Sequence, residues 1–322
     1  MQPKAIPLAL LLLAPLASLQ AAPPSAAANP EVWMMPPGRC FKELFANPEQ
    51  WKETRAQVGV IGYADHVLNK YSDQELESAL PKIQALGLKL GLEVGAIKPW
   101  GQTGADVFQK QRRMWDRFQS KGAKIYAIAM DEPLCTTRFH LKKTDEYAVE
   151  ETASFISLVR HNYPAIRIGD IEGYPSVPLK DLIAWIDALQ ARLKKANVRG
   201  LDFFRVDVDW THFIVGHPGN WGEMKQLEDY CRAKHIAFSM IYWAADYPAM
   251  KKKGFADDSS WYTSIMTQGN AYVFVNGVPD EYVIESWVDA PSASLPETEP
   301  WTFTRSVLDF SKKFVKPLPP AH

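Results

Sequence analysis

The sequence is poor in the groups that mark several large classes of protein. Its 322 residues contain three cysteines, Cys40, Cys135 and Cys231, whose spacing matches no metal-binding motif. No Gly-x-Gly-x-x-Gly follows a predicted strand, and no Gly-x-Ser-x-Gly elbow is present, so dinucleotide binding and serine hydrolysis find no support. The 36 basic and 37 acidic residues nearly cancel. We therefore expect no metal, no cofactor and no nucleic-acid partner.

Long apolar runs are scarce, and one stands at the start of the chain. Residues 1–22 predict a signal peptide, with Lys4 as the positive region and Ile6 to Leu19 as the apolar region. Ala21 and Ala22 supply the small residues of a cleavage region. The apolar run is too short to span a bilayer comfortably. We therefore expect an exported protein, secreted or periplasmic, with no membrane contact after cleavage.

The rest of the chain predicts one large domain. Residues 23–30 are a low-complexity linker, 31–317 form the domain, and 318–322 are a short tail. Export permits disulfides, and Cys40 and Cys135 both follow predicted strand ends, so a bridge between them is left open.

Apolar, β-prone runs alternate with amphipathic helices throughout this domain. The predicted strands are Glu31 to Met35, Val58 to Tyr63, Leu88 to Ala96, Lys124 to Pro133, Ile166 to Glu172, Gly200 to Trp210, Ile236 to Trp243 and Glu281 to Trp287. One of the helices opens at Ser72 with Glu75 three residues later, the pattern of a capping box. Strict alternation predicts an α/β protein with a parallel sheet, and eight units favour a single (β/α)8 TIM barrel.

Two acids stand side by side where the fourth strand should end. Asp131 and Glu132 follow a run of apolar residues that is typical of a strand buried on both faces. Pro133 then ends the strand because proline has no N–H for the ladder. Buried carboxyls are costly unless water, partners or a substrate meet them. In a parallel barrel, the carboxyl ends of the strands form the active-site face.

Further polar and aromatic residues stand at the same end of other predicted strands. The acids are Glu93, Asp131, Glu132, Asp170, Glu172, Asp207, Asp209 and Glu285, and the aromatic residues are Trp100, Trp210, Tyr242, Trp243 and Trp287. We expect these side chains to converge on one mouth, and we expect no comparable set at the amino ends of the strands. On strand 6, the alternation predicts that Arg205, Asp207 and Asp209 face the barrel interior or its mouth. Trp51, Trp115 and Trp185 lie on predicted helices and are expected in the core.

Crowded carboxyls cannot all ionise freely, so some of their pKa values should rise. A protonated acid beside an ionised carboxylate is what glycosidic bond cleavage requires. Additional acids can bind sugar hydroxyls, and aromatic faces can stack on sugar rings.

The signal peptide, the eightfold alternation and the acids at strand ends resemble the secreted (β/α)8 glycoside hydrolases. Asp131-Glu132-Pro133 resembles the Asn-Glu-Pro that ends strand 4 in the largest clan of those barrels. The resemblance implies that Glu132 is the general acid/base. Asp131 replaces the clan's Asn, and strand 7 here lacks the clan's nucleophilic Glu; Asp246 lies in the following loop, and Glu285 lies on strand 8.

These observations give a leading hypothesis and two alternatives. The leading hypothesis is a glycoside hydrolase or transglycosylase acting on an oligo- or polysaccharide. The expected catalytic residues are Glu132, Glu285, Asp131 and Asp207, and the expected substrate ligands are Glu93, Trp100, Glu172, Asp209, Trp210, Tyr242, Trp243 and Trp287. One alternative is a metal-dependent barrel enzyme holding Mg²⁺ with Glu93, Asp131, Glu172 and Asp207. The other is a non-catalytic carbohydrate-binding barrel.

Overall fold

Eight parallel strands close into a barrel in which each strand pairs with the next and the last pairs with the first. The computed structural model describes residues 29–317. Its strands are β1 (Glu31–Met35), β2 (Val60–Ala64), β3 (Lys89–Val94), β4 (Ile125–Asp131), β5 (Arg167–Tyr174), β6 (Phe203–Val208), β7 (Ala237–Tyr242) and β8 (Glu281–Glu285). The prediction of a single (β/α)8 barrel is confirmed.

Helices separate the strands and cover the outside of the barrel. They are α1 (Phe41–Ala46), α2 (Lys52–Gln57), α3 (Asp65–Leu68), α4 (Asp73–Ala85), α5 (Gly104–Ser120), α6 (Pro133–Cys135), α7 (Asp145–Asn162), α8 (Leu179–Lys195), α9 (Trp210–Ile214), α10 (Trp221–Ala233), α11 (Tyr247–Lys252), α12 (Asp258–Phe274) and α13 (Phe303–Phe314). The predicted capping box forms at the start of α4, where Ser72 and Glu75 bond each other's backbone N–H. Trp51, Trp115 and Trp185 are buried, as predicted.

Each strand presents one face to the helices and the other to the barrel interior, because successive side chains alternate. The larger hydrophobic core lies between the sheet and the helices and includes Ile128 and Val206. A smaller cluster fills the interior and includes Trp33 and Phe203. On β6, Arg205 and Asp207 therefore point inward, as predicted. On β5, the phase puts Ile171 and Gly173 inside, and it puts Asp170 and Glu172 on the outer face.

The amino ends of the strands form a base that is rich in ion pairs. Glu31 bonds Lys89 at 2.6 Å, and Glu281 bonds Arg167 at 2.8 Å. Arg205 is fully buried above them, 3.3 Å from Glu281. The expectation that the amino ends carry no comparable acids was wrong. At the base, Glu31 and Glu281 each pair with a cation, and this pairing distinguishes them from most acids at the carboxyl ends of the strands.

The remaining predictions have mixed outcomes. All three cysteines are buried free thiols, so the structure contains no Cys40–Cys135 bridge. Among the described helices, none is both long and apolar enough to cross a membrane. The predicted signal peptide (1–22), nearly all of the linker (23–30) and the tail (318–322) lie outside the described residues.

Candidate active site

A cavity of about 350 Å³ opens at the carboxyl ends of the strands. Five acidic side chains from the ends of four strands dominate its polar lining. They are Glu93, Asp131, Glu132, Asp207 and Glu285. These five acids therefore lie together at one mouth, as the sequence predicts. His66 also lines the cavity, together with apolar side chains such as Met35 and Ile241.

The backbone at Glu132 has an unusual conformation. Its φ of 50° and ψ of 54° lie in the left-handed region, which costs a non-glycine residue about 1–2 kcal/mol. Pro133 contributes, because a residue before proline is disfavoured in the right-handed helical region. Backbone bonds hold the conformation on both sides: Glu132 N–H donates to Ile171 at 3.0 Å, and its carbonyl accepts from Thr136 at 2.8 Å. Strain of this kind concentrates at functional sites.

Gly173 leaves the space that the Glu132 carboxyl occupies. A Cβ at Gly173 would lie 2.6 Å from Glu132 Oε1, far closer than side-chain atoms approach. Gly173 is the register partner of Asp207 on β6, and paired strands lie about 4.8 Å apart. Glu132 follows β4 and Asp207 lies on β6, so their carboxyls are neighbours on either side of Gly173 on the intervening strand β5.

Several polar atoms around this cavity are buried and have no hydrogen-bond partner among the described residues. They include Tyr63 Oη and Glu285 Oε2, whereas the Trp243 indole faces the Asp207 carboxyl and opposes the rise of its pKa. An unsatisfied buried polar atom costs about 1–3 kcal/mol, so a bound polar ligand or water would satisfy a real deficit here. Trp243 packs against Trp287 with the ring centroids 4.3 Å apart and the ring planes tilted by 34°, and Trp287 is half exposed at the rim.

Burial and mutual repulsion raise the pKa values of Glu93, Glu132, Asp207 and Glu285 in this mouth. Burial, followed by the charge of Asp131, raises the pKa of Glu93 to about 8. The same two causes raise the pKa of Glu132, although Lys98 and the Cys135 thiol oppose the shift. Burial raises the pKa of Asp207 well above its usual value, with Glu132 the largest contributing charge. Carboxyls of this kind can hold and release protons near neutral pH.

Burial, followed by the charge of Glu93, also raises the pKa of Glu285 well above its usual range. Asp131 has a different environment, because it forms an ion pair with Lys98 in the loop after β3. Lys98 thereby supplies positive charge to a rim that is otherwise acidic.

Two predicted substrate ligands point away from the cavity, and these predictions were wrong. Glu172 is fully buried on the outer face of β5, where its carboxylate accepts from Leu134 N–H at 2.6 Å and Cys135 N–H at 3.0 Å. It orders the backbone just after Glu132 instead of contacting substrate. Tyr242 is also buried and stacks on Tyr282 in the layer between sheet and helices.

Two more predicted ligands lie outside the cavity because β6 ends earlier than the sequence suggested. β6 stops at Val208, and the chain turns into α9. Asp209 then bonds His212 at 2.7 Å, and Trp210 is buried against the outer core. Trp100 lines a second cavity that adjoins the first.

The predicted Mg²⁺ ligand set is not assembled, since Glu172 faces away from Glu93, Asp131 and Asp207. Across residues 29–317, no three His, Cys, Asp or Glu side chains are placed to hold a metal ion.

Three residues of the site were missed from the sequence. Lys98 and Gln111 both lie near the mouth, and Gly173 makes room for Glu132. Lys98 carried a usable signal, because it is a single cation in the loop after a strand whose last residue but one is the acid Glu93. Gln111 lies within an amphipathic helix, where the pattern gives an amide no special meaning.

Comparison with known proteins yields similarity of fold alone. No family model matches the chain, and no curated protein matches it. A crystal structure of D-psicose 3-epimerase in the presence of D-fructose is 14% identical and covers 88% of this chain and 99% of its own, with a TM-score of 0.47. A putative fructose-1,6-biphosphate aldolase from Coccidioides immitis is 9% identical, covers 88% of each chain and has a TM-score of 0.48. At this level, neither protein informs the chemistry of this chain.

Proposed function

We propose that this chain cleaves or transfers glycosidic bonds, with Glu132 as the general acid/base and Asp207 as its partner carboxylate. The observation that carries the proposal is the placement of Glu132 over Gly173 and beside Asp207, inside a cavity rimmed by a half-exposed tryptophan. Glycosidic cleavage requires two such carboxyls, one protonated and one ionised.

The electrostatics support a proton shared between the two acids. Repulsion between neighbouring carboxyls makes simultaneous ionisation unfavourable, so the pair retains a proton to higher pH than isolated acids would. Burial raises the pKa of Asp207 more strongly than that of Glu132, so the assignment of Glu132 as the acid rests on the resemblance of Asp131-Glu132-Pro133 to the Asn-Glu-Pro of barrel glycoside hydrolases. In this assignment Glu132 carries the shared proton to the leaving-group oxygen. Asp207, once ionised, stabilises the positive charge that develops on the sugar or attacks it directly. Glu285 and Glu93 line the same cavity and can accept from hydroxyls, Glu285 through the buried Oε2 that has no partner among the described residues.

The substrate class follows from the lining. Neutral, hydroxyl-rich molecules satisfy buried carboxyl oxygens without adding charge, and the exposed ring of Trp287 can stack on the apolar face of a sugar. An oligo- or polysaccharide outside the cytoplasm remains our proposed substrate, because residues 1–22 predict export. Cell fractionation with and without those residues tests the location.

The decisive experiment uses leaving groups of two kinds. Wild type, Glu132→Gln and Asp207→Asn are assayed on a panel of natural oligosaccharides and on nitrophenyl glycosides, whose leaving group needs little protonation. We expect Glu132→Gln to lose about 10²- to 10⁴-fold on oligosaccharides and much less on nitrophenyl glycosides, since an amide cannot donate the proton. Asp207→Asn should lose activity on both.

The matched control is Glu43→Gln, which changes an exposed acid on α1 outside the cavity and should leave activity unchanged. Full activity of Glu132→Gln on oligosaccharides would overturn the assignment of Glu132. Tight oligosaccharide binding by wild type, with no turnover on any substrate, would instead identify a non-catalytic carbohydrate-binding barrel.

A further inference from the structure

A second cavity, of about 320 Å³, adjoins the first across a shared ridge. Ala64, His66, Glu93 and Asp131 line both cavities. The two cavities therefore form one cleft with two lobes, and the acids of the mouth lie at the boundary. A chain-like ligand that extends from the first lobe across this ridge would enter the second.

Gly95 is the point at which three different side chains meet in the second lobe. A Cβ there would lie 2.9 Å from Lys98 Cγ, 3.1 Å from Gln111 Nε2 and 3.3 Å from Trp100 Cζ2. A cation, an amide and an aromatic ring are thus gathered around one residue without a side chain. This combination supplies a donor, an acceptor and a flat apolar surface within one small volume.

The second lobe contains a buried hydrogen-bond acceptor, on Gln111, that receives no hydrogen bond from the described residues. Its side chain is only 1% exposed, yet Oε1 has no hydrogen-bond partner in the described part of the chain. The residue is held on α5, a 17-residue helix, so it cannot easily turn its amide to solvent. A ligand hydroxyl that donates to Oε1 would remove the deficit.

Trp100 provides a surface of the opposite kind. It is 51% exposed, although tryptophan is a costly residue to leave in water. Paired backbone bonds between Lys98 and Gly101, at 2.9 and 3.1 Å, hold its loop in a tight turn. Lys110 bonds the carbonyl of Trp100 and lies 5.5 Å from the ring centroid. The exposed ring is therefore held in place before any ligand arrives.

We propose that the second lobe binds the sugar unit next to the one cleaved at Glu132, so that the substrate is an oligosaccharide of at least two units. The inference rests on the proposed function, since it names the substrate of the same site. Trp100 stacks on the neighbouring ring, Gln111 accepts from one of its hydroxyls and Lys98 donates to another. An anionic ligand is disfavoured, because Lys98 is already paired with Asp131 and Glu93 lies on the ridge.

The test measures binding separately from catalysis. Calorimetry on the Glu132→Gln protein compares monosaccharides with di-, tri- and tetrasaccharides of the gluco-, xylo-, manno-, galacto- and amino-sugar series. We expect affinity to rise about tenfold between one unit and two in at least one series. Trp100→Ala in the same background should abolish that rise and leave monosaccharide affinity unchanged, and Gln111→Met should reduce it.

Trp301→Ala is the control, because Trp301 is 47% exposed but lies outside both lobes. Equal affinities for one and two units, or a rise that survives Trp100→Ala, would overturn the second lobe as a sugar site even if wild type cleaves glycans. A rise that depends on Trp100 in a protein whose wild type cleaves nothing would support the lobe and overturn the proposed function. No binding in any series would overturn both.

Discussion

Both ends of this barrel carry buried acidic side chains, and they differ in what faces those acids. At the base, Glu281 contacts both Arg167 and Arg205, and Glu31 contacts Lys89. At the mouth, Glu285 keeps a buried oxygen without a partner among the described residues, and the Asp207 carboxyl faces the Trp243 indole instead of a cation. Paired acids hold a fold together, whereas unpaired acids in a cavity have a cost that a ligand must offset.

The comparison shows that the position of an acid on a strand is a weaker guide to function than its pairing. An acid at a strand end can form a structural ion pair, or it can line a functional cavity. What differs is direct ion pairing: Glu31 and Glu281 form ion pairs at the base, and among the described acids of the mouth Asp131 alone does so, with Lys98. Removing a charged partner at the base should therefore destabilise the fold, whereas removing the charge of an acid at the mouth should stabilise it.

The largest effect is expected at the base, from Arg205→Met. The guanidinium is fully buried, bonds Ser239 at 2.9 Å and lies over the Trp33 ring at 4.2 Å from its centroid. Its loss leaves Glu281 with one cation fewer, so we expect the free energy of unfolding to fall by about 3–5 kcal/mol. Urea denaturation measures the change. A loss under about 1 kcal/mol would contradict the view that the base is held together by its charges.

At the mouth, Glu93→Gln should stabilise the protein in a pH-dependent way. Burial raises the pKa of Glu93 to about 8, above its usual value near 4.5. Between these values, the folded chain holds a proton that the unfolded chain releases, so folding stability falls as pH rises. The glutamine side chain does not titrate, so the stability of the variant does not fall in this way as pH rises. We expect no difference at pH 4.5 and a gain of about 1–3 kcal/mol at pH 8.

Thermal unfolding at the two pH values measures the effect, at about 2–4 °C per kcal/mol. Glu281→Gln is the matched control at the base, where the same change removes the partner of two arginines and should destabilise. A Glu93→Gln protein that is less stable than wild type at pH 8 would remove the distinction between the two ends.

The architecture could be predicted because strands buried on both faces are apolar along their length and need no distant partner to be recognised. It was harder to predict which side chains of each strand face the barrel interior. On β6 the prediction was right for Arg205 and Asp207, which alternate with Phe204 and Val206, and wrong for Asp209, because the strand ends at Val208. On β5 the prediction was wrong, because acids occupy its outer face. Its inner face carries Gly169, Ile171 and Gly173, and the small residues were the signal that this face lines a narrow interior.

Pairing could not be predicted, since it joins residues from different β/α units. The contact of Lys98 with Asp131, and the space that Gly173 leaves for Glu132, depend on the register between neighbouring strands. Periodicity within one unit does not report that register. The sequence therefore indicated which acids gather at the mouth and gave no indication of which of them would lack cations.

Gly173→Ala tests the space beneath the proposed general acid. The added methyl would lie 2.6 Å from Glu132 Oε1, so the carboxyl must move away from Asp207. We expect a loss of about ten- to a hundredfold in kcat on oligosaccharides, with a smaller loss on nitrophenyl glycosides. Gly59→Ala is the control at the base, where the methyl would meet the flexible Glu31 side chain at 3.2 Å. Equal losses from both substitutions would indicate a general effect of packing.

The smallest effect is expected from Lys98→Met, which makes the mouth resemble the base even less. Lys98 lowers the pKa values of Glu93 and Glu132, so its removal should raise both. A general acid with a higher pKa stays protonated to higher pH. The alkaline limb of the kcat/KM profile should then move upward by about half a pH unit, the size expected of one partly exposed charge. Lys89→Met removes a lysine that pairs with Glu31 at the base and should leave the limb in place. An unchanged limb in Lys98→Met would mean that the limb reports a group that Lys98 does not face, and Glu132 would then lose its claim to that limb.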